Sequence, residues 1–179
     1  MPRSTRARPV SLPAGCAIPT TASAWSRRTA GTVSVEDALA KRRSVRAITP
    51  DPLAHADIGQ LLWAAQGITD PASGHRTSPS AGALYPLEVY AVTAEGVFHY
   101  LPRGHQLERV LAGDLRADLA TAALGQAVVA GAGVDFVVTG VVSRTRQKYG
   151  DRAERFVFME AGHAAENLLL QATAMGLGA

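Results

Sequence analysis

The sequence predicts one mixed domain of helices and strands, and three observations carry that expectation. Apolar residues recur at helical spacing near both ends of residues 34–179. A run rich in β-branched and aromatic residues, Leu87 to Leu101, is split by a short turn and reads as a hairpin. A chain of 179 residues, 47% of them hydrophobic, is long enough to bury one core.

Ser34 before Val-Glu-Asp reads as an N-cap with two acids in the first turn, where the helix dipole favours negative charge, and predicts a helix to about Arg43. Pro50 and Pro52 interrupt regular helix, and a second helix is expected from His55 to Gln66 with Ile58, Leu61, Leu62 and Ala65 on one face and Gly67 as its C-cap. Residues 69–86 are rich in small residues without a period and read as a long functional loop. The hairpin is placed at Leu87–Thr93 and Val97–Leu101 around Ala94-Glu95-Gly96. Leu107, Val110, Leu111, Leu115, Leu119 and Leu124 predict helix over 106–130, and the apolar run Val134–Val142 predicts a buried central strand. The last element is a long helix from Arg152 to Met175. Small and apolar residues surround its later turns, which must therefore be buried, for instance in a dimer interface.

Residues 1–33 carry Arg3, Arg6, Arg8, Arg27 and Arg28 and no acid. Removing those five from the 18 Lys and Arg leaves 13 against 15 acidic residues, so the basic excess belongs to a tail and not to a nucleic-acid-binding face. The tail reads as disordered or poorly ordered; its composition also fits a transit peptide or a start-site error. No run approaches the roughly 20 apolar residues that span a bilayer. The single cysteine, Cys16, excludes an intramolecular disulfide and a Cys-based metal site, and points to a reducing, cytoplasmic setting.

Three stretches could carry chemistry. Arg42, Arg43, Ser44 and Arg46 place three guanidiniums and a hydroxyl at a helix end, beside Lys41 and Val45; the cluster can wrap a phosphate, though spacing alone favours a solvated helix terminus. Pro79, Ser80, Ala81 and Gly82 let backbone N–H groups approach a planar ligand, as a plain surface loop would also do. Lys148 and Tyr149 could move a proton, or could merely precede a Gly-Asp turn. Glu160-x-x-His163 lacks the second copy that a di-iron site needs, so His163 is expected to serve packing. Gly131-x-Gly133 lacks the rest of a dinucleotide fingerprint, and His99 and His105 have no further ligand at metal spacing.

Seven pieces in order resemble the nitroreductase superfamily, and more closely its SagB-type dehydrogenase branch. They are Arg-Arg-Ser-Val-Arg at 42–46, Leu-Leu-Trp-Ala-Ala-Gln-Gly-Ile at 61–68, and Pro-Ser-Ala-Gly-Ala-Leu-Tyr-Pro-Leu-Glu-Val-Tyr at 79–90. Gly-Val-Phe-His-Tyr at 96–100, Lys-Tyr-Gly-Asp-Arg at 148–152, Glu-Ala-Gly-His-Ala-Ala-Glu-Asn-Leu-Leu-Leu-Gln-Ala at 160–172 and the final Gly-Leu-Gly complete the series. The resemblance covers roughly residues 34–179.

It implies an α+β fold with a central, mostly antiparallel sheet flanked by helices, working as an intertwined homodimer with flavin mononucleotide (FMN) at the interface. By position, Arg42, Arg43, Ser44 and Arg46 would hold the flavin phosphate and ribityl chain. Pro79, Ser80, Ala81 and Gly82 would approach the ring from the partner subunit, and Gly176, Leu177 and Gly178 would lie near it from the first. Lys148 and Tyr149 fall where members that oxidise thiazolines and oxazolines in peptides keep a proton-removing pair. The implied function is hydride transfer through flavin N5 on such a peptide. The alternatives are an NAD(P)H-dependent reductase of small electrophiles and an inactive family remnant. No nucleic acid, membrane or metal is implied. Ala47 and Ile48 stand where the family commonly has an aromatic residue. Family members also continue past Gly-Leu-Gly, so a truncated chain with weakened FMN and dimer affinity is expected.

Overall fold

A computed structural model describes residues 27–179. Helix α1 spans Val35–Lys41, and the Ser34 hydroxyl caps it by accepting the Asp37 N–H at 3.1 Å. Helix α2 spans His55–Gln66. A two-residue-wide hairpin follows, β1 at Ile68–Asp70 and β2 at His75–Arg76, and then a 3₁₀ turn at Ala81–Ala83. Strands β3 (Leu87–Thr93), β4 (Gly96–Leu101) and β5 (Gln106–Ala112) form a meander. Short helices α3 (Arg116–Ala122) and α4 (Ala127–Gly131) lead to β6 (Asp135–Gly140). Helix α5 (Val142–Tyr149) and the 22-residue α6 (Ala153–Ala174) complete the fold.

The main sheet has the order β5-β4-β3-β6, and every neighbouring pair is antiparallel. Helix α2 lies between that sheet and α6. Its Ile58 and Leu62 pack with Val89, Ala91, Phe98, Tyr100 and Leu107 of the sheet. Its Leu61 and Ala65 pack instead with Val157, Ala164, Leu168 and Ala172 of α6. The four apolar positions expected on one face of α2 thus divide between two adjoining faces, because the helix is buried from both sides.

The stretch 106–130 is not one helix. Left-handed Gly104 and His105 (φ 85° and 50°) close a turn, and the Tyr100 hydroxyl meets His105 Nδ1 at 2.8 Å. Residues 106–112 therefore fold back along β4, where the unpaired strand edge offers backbone hydrogen bonds that outweigh a three-four apolar spacing. Only Leu107 of that strand is buried; Val110 and Leu111 are exposed. Gly113 (φ 91°) ends it, and helix resumes at Arg116.

Three further expectations change. The run Val134–Val142 gives an edge strand of the main sheet, half-buried and not central. The long loop holds the small hairpin and the 3₁₀ turn. In α6 the buried stripe is Ala153, Val157, Glu160, Ala164, Leu168 and Ala172, while Phe158, Met159 and His163 face outward, so His163 does not pack. Gly67 does end α2, in extended rather than left-handed conformation, with its N–H on Trp63 O. The expected tail lies outside the described residues except for its end, where Arg28 pairs with Asp57 at 2.6 Å and Arg27 sits 5.0 Å from the Trp63 ring centre.

Asp135, at the head of β6, has a buried Oδ2 without a hydrogen-bond partner. Burial raises its pKa from 3.8 to about 6, against the pull of Arg116 and with a push from Asp114. A carboxyl raised in this way stabilises the fold below pH 4 and loses that contribution as pH rises through about 6. Asp135→Asn is therefore expected to unfold at higher urea at pH 7.5, by roughly 1 kcal/mol once solvent screening of this half-buried group is allowed for. The gain should vanish at pH 4.

Candidate functional site

The first cluster forms where two chain ends of helices meet. Helix α6 stops in a Schellman turn: Leu177 N–H reaches Ala172 O at 2.9 Å, Gly176 N–H reaches Thr173 O at 3.0 Å, and Gly176 has φ 74°. That turn sends the chain back beside the segment that leaves α1, so Val45 N–H donates to Ala179 O at 2.8 Å. A Cβ on Gly178 would lie 3.1 Å from Val45 Cγ1. The turn thus brings Gly178 and Ala179 against Val45, which stands in sequence among Arg42, Arg43, Ser44 and Arg46. Arg42 Nε stands 3.7 Å from Glu166 Oε1 on α6, and Arg43 turns back on the α1 carbonyls of Ala40 and Arg42. Ser44 and Arg46 are exposed, and Arg46 has no hydrogen bond or ion pair among the described residues.

The second cluster is built around residues 77–86. Ser78 Oγ is wholly buried, donating to Ala65 O at 2.7 Å and accepting from Asn167 Nδ2 at 3.0 Å. Ser80 Oγ accepts the Tyr85 N–H at 2.8 Å, and Glu160 Oε1 accepts the Ala81 N–H at 2.9 Å. These anchors hold three residues in the left-handed region, Gly82 (φ 63°), Ala83 (φ 55°) and Tyr85 (φ 45°). Such a concentration of costly backbone conformations persists only where the surroundings enforce it. A Cβ on Gly82 would come within 2.9 Å of Lys148 Nζ and 3.0 Å of Tyr149 Oη. Its left-handed conformation favours glycine, and the ends of the Lys148 and Tyr149 side chains lie directly against it.

The end of α5 is positioned by its start. Arg144 bridges Glu88 Oε1 (2.5 Å) and Tyr85 O (3.3 Å), while Glu88 Oε2 meets His99 Nε2 at 2.8 Å. Burial raises the Glu88 pKa, but the hydrogen bonds from His99 and Arg144 outweigh it and leave the carboxyl below its ordinary range. Tyr149 packs edge-on against Phe156 with ring centres 4.8 Å apart. A lysine nitrogen and a tyrosine oxygen beside Gly82 are groups of the type that exchange a proton with a ligand laid there.

The two clusters hang on different turns of α6, one through Glu166 and the other through Glu160. Glu160, Asn167 and the Glu88–Arg144 pair are the site residues that sequence reading missed. Their signal was there but faint: Glu160 and Asn167 are polar residues two helical turns apart on a helix rich in small and apolar residues, where a polar group that becomes buried needs a specific partner. No group of three or more His, Cys, Asp or Glu able to hold a metal occurs among the described residues. No described helix is long and apolar enough to cross a membrane.

The model of the nitroreductase family matches residues 39–179. The chain belongs to the nitroreductase family. It is 43% identical over 152 residues to a protein of Methanocaldococcus jannaschii named as a candidate nitroreductase, covering 82% of this chain and 76% of that protein. A crystal structure of a candidate nitroreductase from Ralstonia eutropha superposes with a TM-score of 0.75 at 33% identity, over 84% of this chain and 70% of that one. The microcin B17-processing protein McbC of Escherichia coli is 30% identical over 131 residues, 67% of this chain and 48% of McbC. A chain of the E. coli McbBCD microcin synthetase, solved with truncated pro-MccB17 bound, gives a TM-score of 0.62 at 28% identity, over 75% of this chain and 53% of that one. The chain thus spans about half the length of these microcin proteins. The α+β architecture with an antiparallel sheet flanked by helices is the nitroreductase fold, and membership makes the protein an oxidoreductase of that family.

Proposed function

We propose that the chain is an FMN-dependent oxidoreductase acting as a homodimer, and that it oxidises azoline rings in a peptide in the manner of the SagB-type branch. The observation that carries this reading is the meeting of Lys148 Nζ and Tyr149 Oη at Gly82. The similarity to McbC, a protein named for microcin processing, supports a peptide substrate. A neighbouring structure from Desulfovibrio desulfuricans was solved with FMN; at 24% identity it speaks for the fold, and the flavin here rests on the chain's own residues.

Those residues fit the cofactor. Arg43, Ser44 and Arg46 form an exposed cationic strip without carboxylate partners among the described residues, suited to a phosphate and a ribityl chain, with Arg42 beside them. Gly176, Leu177 and Gly178 border that strip, and Pro79, Ser80, Ala81 and Gly82 offer a low surface for a planar ring from the partner subunit. When bound, FMN would supply hydride transfer at N5. Lys148 or Tyr149 would take the proton from the substrate carbon, and the anchored 77–86 segment would hold the pair in place. Phe158 and Met159 of α6, with Val35 and Leu39 of α1, are exposed apolar side chains available to a second copy.

A second reading, an NAD(P)H-dependent reductase of small electrophiles, is favoured by the 43% identity to the Methanocaldococcus protein. Purified protein should be yellow, release FMN on heating and run as a dimer; a colourless product that takes up no FMN overturns the proposal. Substituting Lys148→Ala with Tyr149→Phe should abolish azoline oxidation and spare NAD(P)H-driven reduction, which separates the readings. Arg42→Ala with Arg46→Ala should weaken FMN binding at least tenfold, as expected for charge-assisted hydrogen bonds. Quenching of FMN fluorescence on titration measures it.

A further inference from the structure

A second concave site lies on the far side of the 77–86 segment, which lends it Ala83 and Tyr85. The turn between β1 and β2, the segment at Tyr85 and the turn at Pro102 enclose a cavity of about 340 Å³, the size of a small-molecule pocket. Ile68 and Leu101 supply apolar wall, and Arg76 and Arg103 supply charge. No carboxylate lines it.

Arg76 is the informative residue. Its backbone N–H donates to the Tyr85 hydroxyl at 3.1 Å, and its guanidinium lies 4.6 Å from the Tyr85 ring centre. One Nη donates to the buried Gln66 Oε1 at 3.0 Å, while Nε is buried with no acceptor. Among the described residues Arg76 forms no ion pair. Glu88, the carboxylate whose field reaches it, is already held by His99 and Arg144. Asp70 on the neighbouring turn is spent on Ser73 and the Ala72 N–H. Burial disfavours the charge on Arg76 and the more distant Glu88 offsets it only in part, so the fold holds a half-buried cation without a direct ion-pair partner among the described residues. Arg103, an exposed residue of the same lining, also has no ion-pair partner among the described residues.

We propose that this cavity binds a small organic carboxylate, its carboxyl group between Arg76 and Arg103 and its apolar body against Ile68 and Leu101. A planar carboxylate matches the edge of a guanidinium, and the apolar walls favour it over inorganic phosphate, whose hydration shell they would strip. None of residues 42–46, 79–82, 148–149 or 176–178 lines the cavity, so the proposal stands apart from the flavin reading.

Benzoate, titrated into the purified full-length protein and followed by calorimetry and ligand-observed NMR, tests it. Saturable binding is expected, with neutral benzamide and inorganic phosphate each at least tenfold weaker. Arg103→Ala, an exposed change that leaves the core intact, should weaken benzoate about tenfold, and Arg76→Gln should remove binding. Arg42→Ala with Arg46→Ala should leave benzoate binding unchanged. Absence of saturable binding overturns the proposal, as does binding indifferent to Arg103→Ala. Phosphate bound as tightly as benzoate, or benzoate lost on changing Arg42 and Arg46, also overturns it.

Discussion

Replacing Glu160 by alanine is expected to lower the unfolding free energy by about 2 kcal/mol and, on the proposed flavin reading, to cost most of the turnover. Glu160 is only 4% exposed, and its Oε1 receives the Ala81 N–H at 2.9 Å. Removing the acceptor leaves a part-buried amide without a partner, which costs about 1–3 kcal/mol. The same bond holds the segment that sets Gly82 against Lys148 and Tyr149, and a displacement of about 1 Å at a reacting centre lowers rate by roughly a hundredfold. Glutamine keeps an acceptor oxygen at the same reach, so Glu160→Gln should restore most stability and most activity. Urea unfolding and single-turnover flavin kinetics on the two variants measure the pair of effects. Equal losses in both variants would show that the carboxylate charge, and not the hydrogen bond to Ala81, is what matters.

Gly133→Ala is expected to destabilise the fold by about 3 kcal/mol or more. A Cβ there would lie 2.1 Å from the backbone oxygen of Asp51. Asp51 sits between Pro50 and Pro52, whose rings restrict the backbone on both sides, so the carbonyl cannot swing away cheaply. The cost is that of overpacking against a stiff wall. Gly131→Ala, two residues earlier and with nothing within 4 Å of the added methyl, serves as the control and should be neutral or slightly stabilising. Thermal melts of both variants check this, with Gly133→Ala expected roughly 6–12 °C below the parent.

That contrast shows what the sequence displays and what it withholds. Gly131-x-Gly133 is an incomplete nucleotide motif on the page; the reason for Gly133 is a carbonyl some eighty residues earlier in the chain. Local signals were legible wherever the cause is local. Ser34 caps its helix through its own hydroxyl, and the hairpin at residues 87–101 forms where β-branched and aromatic residues flank a short turn. Residues 106–112 were misread because Leu107, Val110 and Leu111 fit a helix while the deciding partner, the open edge of β4, lies elsewhere. At the site, the arginines and the Lys148–Tyr149 pair stood out by type and order. Glu160 and Asn167 did not, because a buried hydrogen bond to a loop leaves its trace in the fold and only faintly in the chain.

Helix α6 carries a geometric constraint of a different kind. Glu160 holds the loop of one cluster and Glu166 faces the arginine of the other, six residues apart along one rigid rod. At 1.5 Å per residue the two attachment points are separated by about 9 Å along the axis, and each residue added between them would turn one by about 100° relative to the other. The helix is in effect a gauge block. Its length between residues 160 and 166 therefore fixes how the two attachments are placed relative to each other, and a residue inserted there would break the register between them.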